Sequence, residues 1–156
     1  MSGTYVEFRL SDDSTWNMEA YMERLGLPMP RHGFHATTVY SRIPISYVPV
    51  NLPSMAFNCF ADGLLLLQSK LGLCLCLSVN CDALWRSHNS ALRLGATWDF
   101  PEYLPHITLA YDLPLESLIG VRLEVPRFPL HFAKPEIVLE LDETGKPKRI
   151  SEQREA

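Results

Sequence analysis

An internal repeat constrains this chain more than any other feature, because similarity at a fixed offset reveals how a fold is assembled. An Arg-Leu-Gly tripeptide at 24–26 is followed by a loop with proline and the run His-Ala-Thr-Thr-Val-Tyr at 35–40. The same order returns as Arg-Leu-Gly at 93–95 and His-Ile-Thr-Leu-Ala-Tyr at 106–111. The offset is 69 residues at the arginine and 71 at the histidine, so the loop gained two residues, where insertions cost little. The repeat predicts two equivalent halves.

Each half has the pattern of a strand, a helix and a second strand. Residues 4–10 and 73–79 alternate large apolar with polar or small side chains, which is typical of strands with one buried face. Helices are predicted after them, one ending at Gly26 and the other running from Asn80 or Asp82 to Gly95. The expected fold is α+β, with duplicated strand-helix-strand halves forming two pseudo-symmetric lobes with antiparallel sheets around a central cleft.

The length of 156 residues favours one domain. We expect a single bilobed domain over 1–141, whose second motif half spans about 70–111, and a polar C-terminal tail over 142–156. Three prolines make 43–54 an extended connection between the halves. Further strands are predicted at 55–61, 64–68 and 133–141.

Composition excludes several classes of function. A net charge of −4 and a pI near 5.7 disfavour binding to long nucleic acids, although a small anionic ligand in a local basic pocket fits. The most apolar stretch, at 63–79, is interrupted by polar residues before it reaches the roughly 20 residues that span a bilayer. No secretory leader is visible, so we expect an intracellular protein without membrane partners whose four cysteines are reduced thiols.

The repeated His-x-Thr tripeptides carry the chemistry. Within a strand, residues i and i+2 face the same way, so His35 projects with Thr37 and His106 with Thr108. Two imidazoles in one cleft can take a proton from an attacking hydroxyl and give one to a leaving oxygen near neutral pH. The threonine hydroxyls can donate to phosphoryl oxygens, and no metal cofactor is expected. A single His-x-Thr is a common accident, but two copies at equivalent points favour catalysis.

Paired His-x-Thr motifs in a duplicated chain of this size resemble the 2H phosphoesterases, a superfamily of metal-independent enzymes that includes RNA 2′,3′-cyclic phosphodiesterases. The resemblance implies a bilobed α+β fold and catalytic roles for His35, Thr37, His106 and Thr108. A narrower resemblance rests on Thr4-Tyr5-Val6 and on the run from His35 to Arg42. These segments look like the phage anti-CBASS nucleases, which degrade the cyclic oligonucleotide messengers of bacterial immunity. For a phage protein, this implies action in the host bacterial cytoplasm.

Two further residues are candidates for ligand binding. Tyr5 borders the same groove if its polar face points inward, where its ring could stack on a base; an ordinary half-buried strand tyrosine is the alternative. Glu136 could orient a histidine or accept a ribose proton, although an exposed strand glutamate fits its pattern better. Tyr40 and Tyr111 come three residues after each threonine, so strict alternation places them on the opposite face. His88 is predicted on the surface of the second helix.

The sequence therefore predicts a metal-independent phosphodiesterase that hydrolyses 3′–5′ bonds of cyclic di- and trinucleotides. Two alternatives stay open: an RNA 2′,3′-cyclic phosphodiesterase that processes RNA ends, and a non-catalytic sponge that sequesters a cyclic nucleotide. Duplication makes the two histidines chemically alike, so the sequence does not distinguish the general base from the general acid. It also leaves the oligomeric state open.

Overall fold

The computed structural model describes residues 2–49, 57–68 and 72–149. Residues 50–56, within the predicted connection and the strand after it, and 150–156 of the predicted tail lie outside this part. The described residues form seven strands and two α-helices: β1 (Thr4–Arg9), α1 (Asp12–Leu25), β2 (His35–Ser41), β3 (Phe57–Gln68), β4 (Leu73–Asn80), α2 (Asp82–Arg93), β5 (His106–Leu113), β6 (Leu130–Phe132) and β7 (Ile137–Glu140). A short 3₁₀ helix covers Leu115–Leu118.

The strands form one antiparallel sheet in the order β6-β3-β4-β5-β2-β1-β7. The α+β class is therefore confirmed. The two strands that carry the His-x-Thr motifs, β2 and β5, are neighbours in the middle of the sheet. Each is flanked on its other side by the first strand of its own half, β1 beside β2 and β4 beside β5.

Local sequence signals account for the helix ends. The side chain of Ser11 accepts a hydrogen bond from the Ser14 backbone N–H and caps α1 at its start. Gly26 ends α1 in the left-handed conformation with φ 72°, as its position predicted. The second helix ends at Arg93 and has Leu94 as its C-cap, so it stops two residues before the predicted end at Gly95. Neither helix, nor any other in the described ranges, has the length and apolar character of a membrane span.

The core fixes the direction in which the motifs face. Ala36 and Ile107, the middle residues of the two motifs, are fully buried among residues such as Phe8, Met22 and Leu84. Because side chains alternate along a strand, the histidine and threonine on either side of each point to the other face of the sheet. Truncating Ile107 to alanine would cost about 2–5 kcal/mol of stability, the usual range for such a cavity.

A one-residue β-bulge directly after each motif changes this alternation. In β2, Val39 pairs with Val6 and Thr37 pairs with Glu7, so Thr38 is an extra residue. In β5, Ala110 pairs with Leu75 and Thr108 with Cys76, so Leu109 is extra in the same place. An extra residue reverses the facing of everything that follows it in the strand.

The bulges overturn one prediction. Tyr40 pairs with Tyr5 and lies edge-on to it, with ring centroids 6.2 Å apart, so it shares the face of the first motif. Tyr111 follows two core residues, Leu109 and Ala110. The thiols of Cys74 and Cys76 raise the pKa of its hydroxyl, so Tyr111 lies on the same side as these cysteines. The prediction that both tyrosines lie on the opposite face is wrong, because strict alternation takes no account of a bulge.

Three further segments differ from expectation. The strands predicted at 55–61 and 64–68 form one strand, β3, which absorbs Asp62 as an extra residue. The strand predicted at 133–141 is shorter and begins at Ile137. Part of the predicted tail folds back, since Leu141 bridges to Pro147 and the Lys148 N–H donates to the Glu140 carbonyl.

The prediction of four reduced cysteines is wrong for one pair. Cys59 of β3 and Cys81, just before α2, are joined by a disulfide. Their sequence separation of 22 gives no motif, and the antiparallel pairing of β3 with β4 is what brings them together. Cys74 and Cys76 are free thiols.

Candidate active site

The structure brings the four predicted catalytic residues together. Ala36 and Ile107 are paired across β2 and β5. In an antiparallel register this pair places His35 opposite Thr108 and Thr37 opposite His106. Side chains directly opposite each other have Cβ atoms about 4.5–5.5 Å apart, close enough to hold one phosphate group between them. The histidine of each motif therefore faces the threonine of the other.

A buried carboxylate lies beside the first motif. Glu7 is fully buried and pairs with Thr37 across the strands. Its oxygens accept hydrogen bonds from the Tyr5 hydroxyl at 2.6 Å, from Arg9 Nε at 2.7 Å and from both terminal nitrogens of Arg149. Burial alone raises the pKa of Glu7, but the hydrogen bond from Arg149, the charge of His35 and the hydrogen bond from Tyr5 lower it to about 2. Glu7 is therefore a carboxylate at every pH of interest.

His35 is nearly buried, with 9% of its surface exposed, and its Nε2 lies 3.6 Å from Glu7 Oε1. Burial lowers its pKa to about 4, since the charged imidazolium loses its hydration. The charge of Glu7 opposes this effect, whereas the charges of Arg149 and Arg9 add to it. His35 is therefore neutral at pH 7.

Tyr5 connects this network to Thr37. The Tyr5 hydroxyl donates its single proton to Glu7. It therefore accepts a hydrogen bond from the Thr37 hydroxyl, at 2.9 Å, and a second hydrogen bond from Arg149. The Tyr5 ring is 3% exposed, and the Arg149 guanidinium lies 5.3 Å from its centroid. In this state Tyr5 is a hydrogen-bonding residue of the first motif.

The second motif has uncharged neighbours. His106 pairs with Ser78 across the strands, and Thr108 pairs with Cys76. His106 Nδ1 lies 2.6 Å from the Leu104 carbonyl, which can only accept, so Nδ1 carries the proton and Nε2 is left to exchange one. Burial lowers the pKa of His106. The Thr108 hydroxyl is 3.7 Å from the Cys76 sulfur, and burial raises the pKa of that thiol to about 11, so it stays protonated.

Tyr111 and Arg31 lie beyond the second motif. The Arg31 guanidinium lies over the Tyr111 ring, 4.6 Å from its centroid, and also reaches Asp112 at 3.3 Å. The positive charge of Arg149 lowers the pKa of Tyr111 as well as that of Tyr5, so its charge reaches both halves. Arg149 belongs to the segment predicted as a tail, and no local pattern marks it. Sequence alternation misses Tyr111 because of the bulge.

Glu136 is not brought to this face. It is 8% exposed and lies just before β7, where its Oε1 accepts a hydrogen bond from the Tyr47 hydroxyl at 2.7 Å. Tyr47 bonds to Ser87 of α2, and Ser87 donates to the Thr38 hydroxyl. Thr38 is the bulged residue whose side chain faces the helix. This described hydrogen bond of Glu136 therefore lies on the side of β2 opposite the two motifs.

The helix side also holds His88, and its predicted position on the surface is wrong. It is 4% exposed, its Nδ1 lies 2.8 Å from the Thr38 carbonyl and its ring stacks on Tyr103 at 4.2 Å. Tyr103 in turn donates from its hydroxyl to the Thr37 carbonyl at 2.8 Å. These contacts support β2 at its bulge from the helix side of the sheet.

Within the described part of the chain, no three His, Cys, Asp or Glu side chains cluster as metal ligands would.

The chain matches a known protein family over nearly its whole length. The family model described as "Anti-CBASS protein Acb1" matches residues 2–148, a range that includes both His-x-Thr motifs and every described helix and strand. The chain belongs to this family. Its membership confirms the anti-CBASS part of the narrower resemblance drawn from residues 4–6 and the run at 35–42.

Individual phage proteins agree with the family assignment. Anti-CBASS protein Acb1 of Salmonella phage S16 is 36% identical over 128 residues, covering 80% of this chain and 82% of the relative. The Enterobacteria phage T4 protein of the same name is 35% identical over 122 residues, covering 76% and 78%. That of Acinetobacter phage Ac42 is 36% identical over 114 residues, covering 71% and 74%. The similarity extends over most of both chains in each comparison.

Proposed function

We propose that this protein is a metal-independent phosphodiesterase that hydrolyses 3′–5′ bonds of cyclic di- and trinucleotides, and that a phage uses it in the host cytoplasm against CBASS immunity. The observation that carries the proposal is the Ala36–Ile107 pair, which sets each histidine opposite the threonine of the other motif. The name shared by the phage relatives supports the anti-CBASS role.

The sheet also supports descent from a duplicated 2H-type half. The units β1-α1-β2 and β4-α2-β5 lie on either side of the β2–β5 boundary. Each has a one-residue bulge directly after its His-x-Thr, at Thr38 and at Leu109. Two such units related by a pseudo-two-fold axis would form the two lobes, with the phosphate bound where their motif strands meet.

The reaction needs two proton transfers. One histidine takes a proton from the ribose 2′-hydroxyl, or from water, as its oxygen bonds to phosphorus. The bond from phosphorus to the 5′ oxygen breaks, and the other histidine, which must enter this step as the imidazolium, gives that oxygen a proton and becomes neutral. Attack by the 2′-hydroxyl leaves a 2′,3′-cyclic end, which water opens in a second step with the two roles exchanged. Both imidazoles accept and return one proton, so neither is consumed.

The threonines hold the charge that develops on phosphorus. Thr108 lies beside a weakly bonding thiol, so its hydroxyl is available to donate to a non-bridging oxygen. Thr37 donates to Tyr5 in the ligand-free state and would exchange that bond for one to the phosphate. Arg31 and Arg149 add positive charge near the groove, which favours an anionic ligand despite the negative net charge of the chain.

Tyr5 and Glu136 have different proposed roles in ligand binding. The Tyr5 ring is buried beside the Arg149 guanidinium, so a base would stack on it only after displacing that side chain; the base would then lie next to the phosphate, because the Tyr5 hydroxyl bonds to Thr37. Glu136 would act on the site through Tyr47, Ser87 and Thr38, by holding β2 in place. Tyr111, on the same face as Thr108, is a second aromatic surface for a base.

The test is chromatography of cyclic dinucleotides, cyclic trinucleotides and an RNA oligomer with a 2′,3′-cyclic end, each incubated with the protein and EDTA. We expect linear products from the cyclic oligonucleotides and none from the His35→Ala or His106→Ala variants. Cleavage of the RNA end alone would assign the protein to RNA processing. A sponge would bind the cyclic nucleotide and return it intact after heat denaturation. Either result would overturn the proposal.

A further inference from the structure

The two motifs face different partners at equivalent positions of the sheet. Across from the first motif, β1 supplies Glu7 to Thr37 and Arg9 to His35. Across from the second motif, β4 supplies Cys76 to Thr108 and Ser78 to His106. A carboxylate and a guanidinium on one side correspond to a thiol and a hydroxyl on the other. The backbone treats the two histidines alike, but their electrostatic surroundings differ.

Charges reach His35 from several elements. From β1 come the carboxylate of Glu7, 3.6 Å from Nε2, and the guanidinium of Arg9. From the C-terminal segment comes the guanidinium of Arg149, and on the neighbouring strand β5 the titratable group is His106. The two arginines disfavour an imidazolium at His35, and Glu7 favours it.

Glu7 is held more firmly than a surface carboxylate. Its two oxygens receive bonds from Tyr5, Arg9 and Arg149, and its side chain is fully buried. A carboxylate fixed by several donors in a buried site needs no reorganisation when a charge appears next to it. Among the described residues that contact Glu7, His35 is the one whose charge would change during acid–base catalysis.

We propose that Glu7 is a positioning residue for His35: its carboxylate, 3.6 Å from Nε2, stabilises the imidazolium that His35 becomes while it carries a proton during the reaction. His106 has no such partner among its cross-strand neighbours, so the two histidines are not interchangeable. This inference rests on the proposed function. It holds whether His35 is the base or the acid, since either role passes through the same imidazolium.

NMR titration of the histidine side chains tests the electrostatic part without any substrate. Glu7→Gln removes the negative charge that offsets the two arginines near His35. The pKa of His35 should therefore fall by about one unit or more, while that of His106 stays unchanged. Arg149→Met should move the pKa of His35 in the opposite direction. Glu7→Asp, which keeps the charge on a shorter side chain, should restore part of the loss and serves if Glu7→Gln does not fold.

Lys134→Met is the matched control, because it removes an ion pair, with Asp12, on the surface. It should leave both histidine titrations unchanged. If His35 titrates identically in wild type and Glu7→Gln, or if His35 and His106 shift equally, the inference is wrong.

Kinetics on a cyclic dinucleotide tests the catalytic part. We expect Glu7→Gln to lower kcat about 10- to 100-fold at pH 7 with little change in KM, because the fully buried Glu7 does not contact the ligand itself. The limb of the pH profile that belongs to His35 should move to lower pH. A change in KM alone would show a structural role and overturn the inference. If the wild type cleaves no cyclic oligonucleotide, the proposed function fails, and the titration still decides whether Glu7 controls His35.

Discussion

The first and second His-x-Thr motifs have the same backbone and different electrostatics. Each lies on a central strand, has a buried middle residue and is followed by a bulge of one residue. The first borders a buried network of Glu7, Arg9 and Arg149, whereas Ser78 and Cys76 border the second. Strand pairing therefore brings the two histidines and two threonines together, and the neighbouring strand and the C-terminal segment determine which charges surround each histidine.

Removing either imidazole should have the largest effect on turnover. His35→Ala and His106→Ala should each lower turnover of a cyclic dinucleotide by about 10²–10⁴-fold, because each removes one of the two proton transfers. Circular dichroism and thermal melting should show that both variants fold. Near-wild-type turnover by either purified variant would break the pairing of the motifs.

The threonines should be next in size. Thr37→Val and Thr108→Val should each lower kcat about 10²-fold, the usual effect of removing one donor to a developing negative charge. Serine at either position keeps the hydroxyl and should keep most of the activity. Only Thr37→Val should also lower the melting temperature, because it removes the partner of the Tyr5 hydroxyl. Equal melting temperatures for the two valine variants would contradict this asymmetry.

His35 should make stability depend on pH. Its pKa is about 4 in the folded protein and near 6.5 when unfolded, so below pH 6.5 the unfolded chain binds a proton that the folded chain does not. Stability should therefore fall as pH falls from 6.5 towards 4, and at pH 5 the loss from His35 is about 2 kcal/mol. Urea unfolding at pH 7 and pH 5 measures it.

His35→Gln should remove most of that loss, and Lys134→Met should not. The burial that lowers the pKa of His106 gives a contribution of the same sign. An unfolding free energy that is the same at both pH values in the wild type would show that His35 is not desolvated as described.

The smallest effect concerns the tyrosine beyond the second motif. Tyr111→Leu should raise KM about 5- to 10-fold through loss of a stacking surface, and Tyr111→Phe should not, because stacking needs the ring alone. The same two substitutions can be made in the inactive His106→Ala variant. Calorimetry of cyclic dinucleotide binding then compares them without turnover. If phenylalanine weakens binding as much as leucine does, the hydroxyl rather than the ring makes the contact.

Short-range patterns in the sequence predict a large part of the fold. Alternation locates β1 and β4, Gly26 marks the end of α1, and the repeat pairs the two motifs. The bulges at Thr38 and Leu109 are not predictable from alternation, since a bulge is defined by the partner strand. Alternation alone therefore puts Tyr40 and Tyr111 on the wrong face.

Long-range contacts explain the remaining differences. Arg149 is 142 residues from Glu7, and Cys59 is 22 from Cys81, so no local pattern relates them. The pattern of its strand made Glu136 a candidate for the groove, but the hydrogen bond that it accepts from Tyr47 lies on the helix side. In each case the register of the sheet, and not the residue type, determines which residues the side chain contacts.

The most direct test of the central claim, that the two motifs act as one proton-transfer pair, is a double-mutant cycle on cyclic dinucleotide hydrolysis in EDTA. Rates are compared for the wild type, His35→Ala, His106→Ala and the double variant. Groups that act as a unit are strongly non-additive, so the double variant should be little slower than the slower single variant. If the two losses multiply instead, the histidines act independently, and the account of a shared phosphate site between β2 and β5 is contradicted.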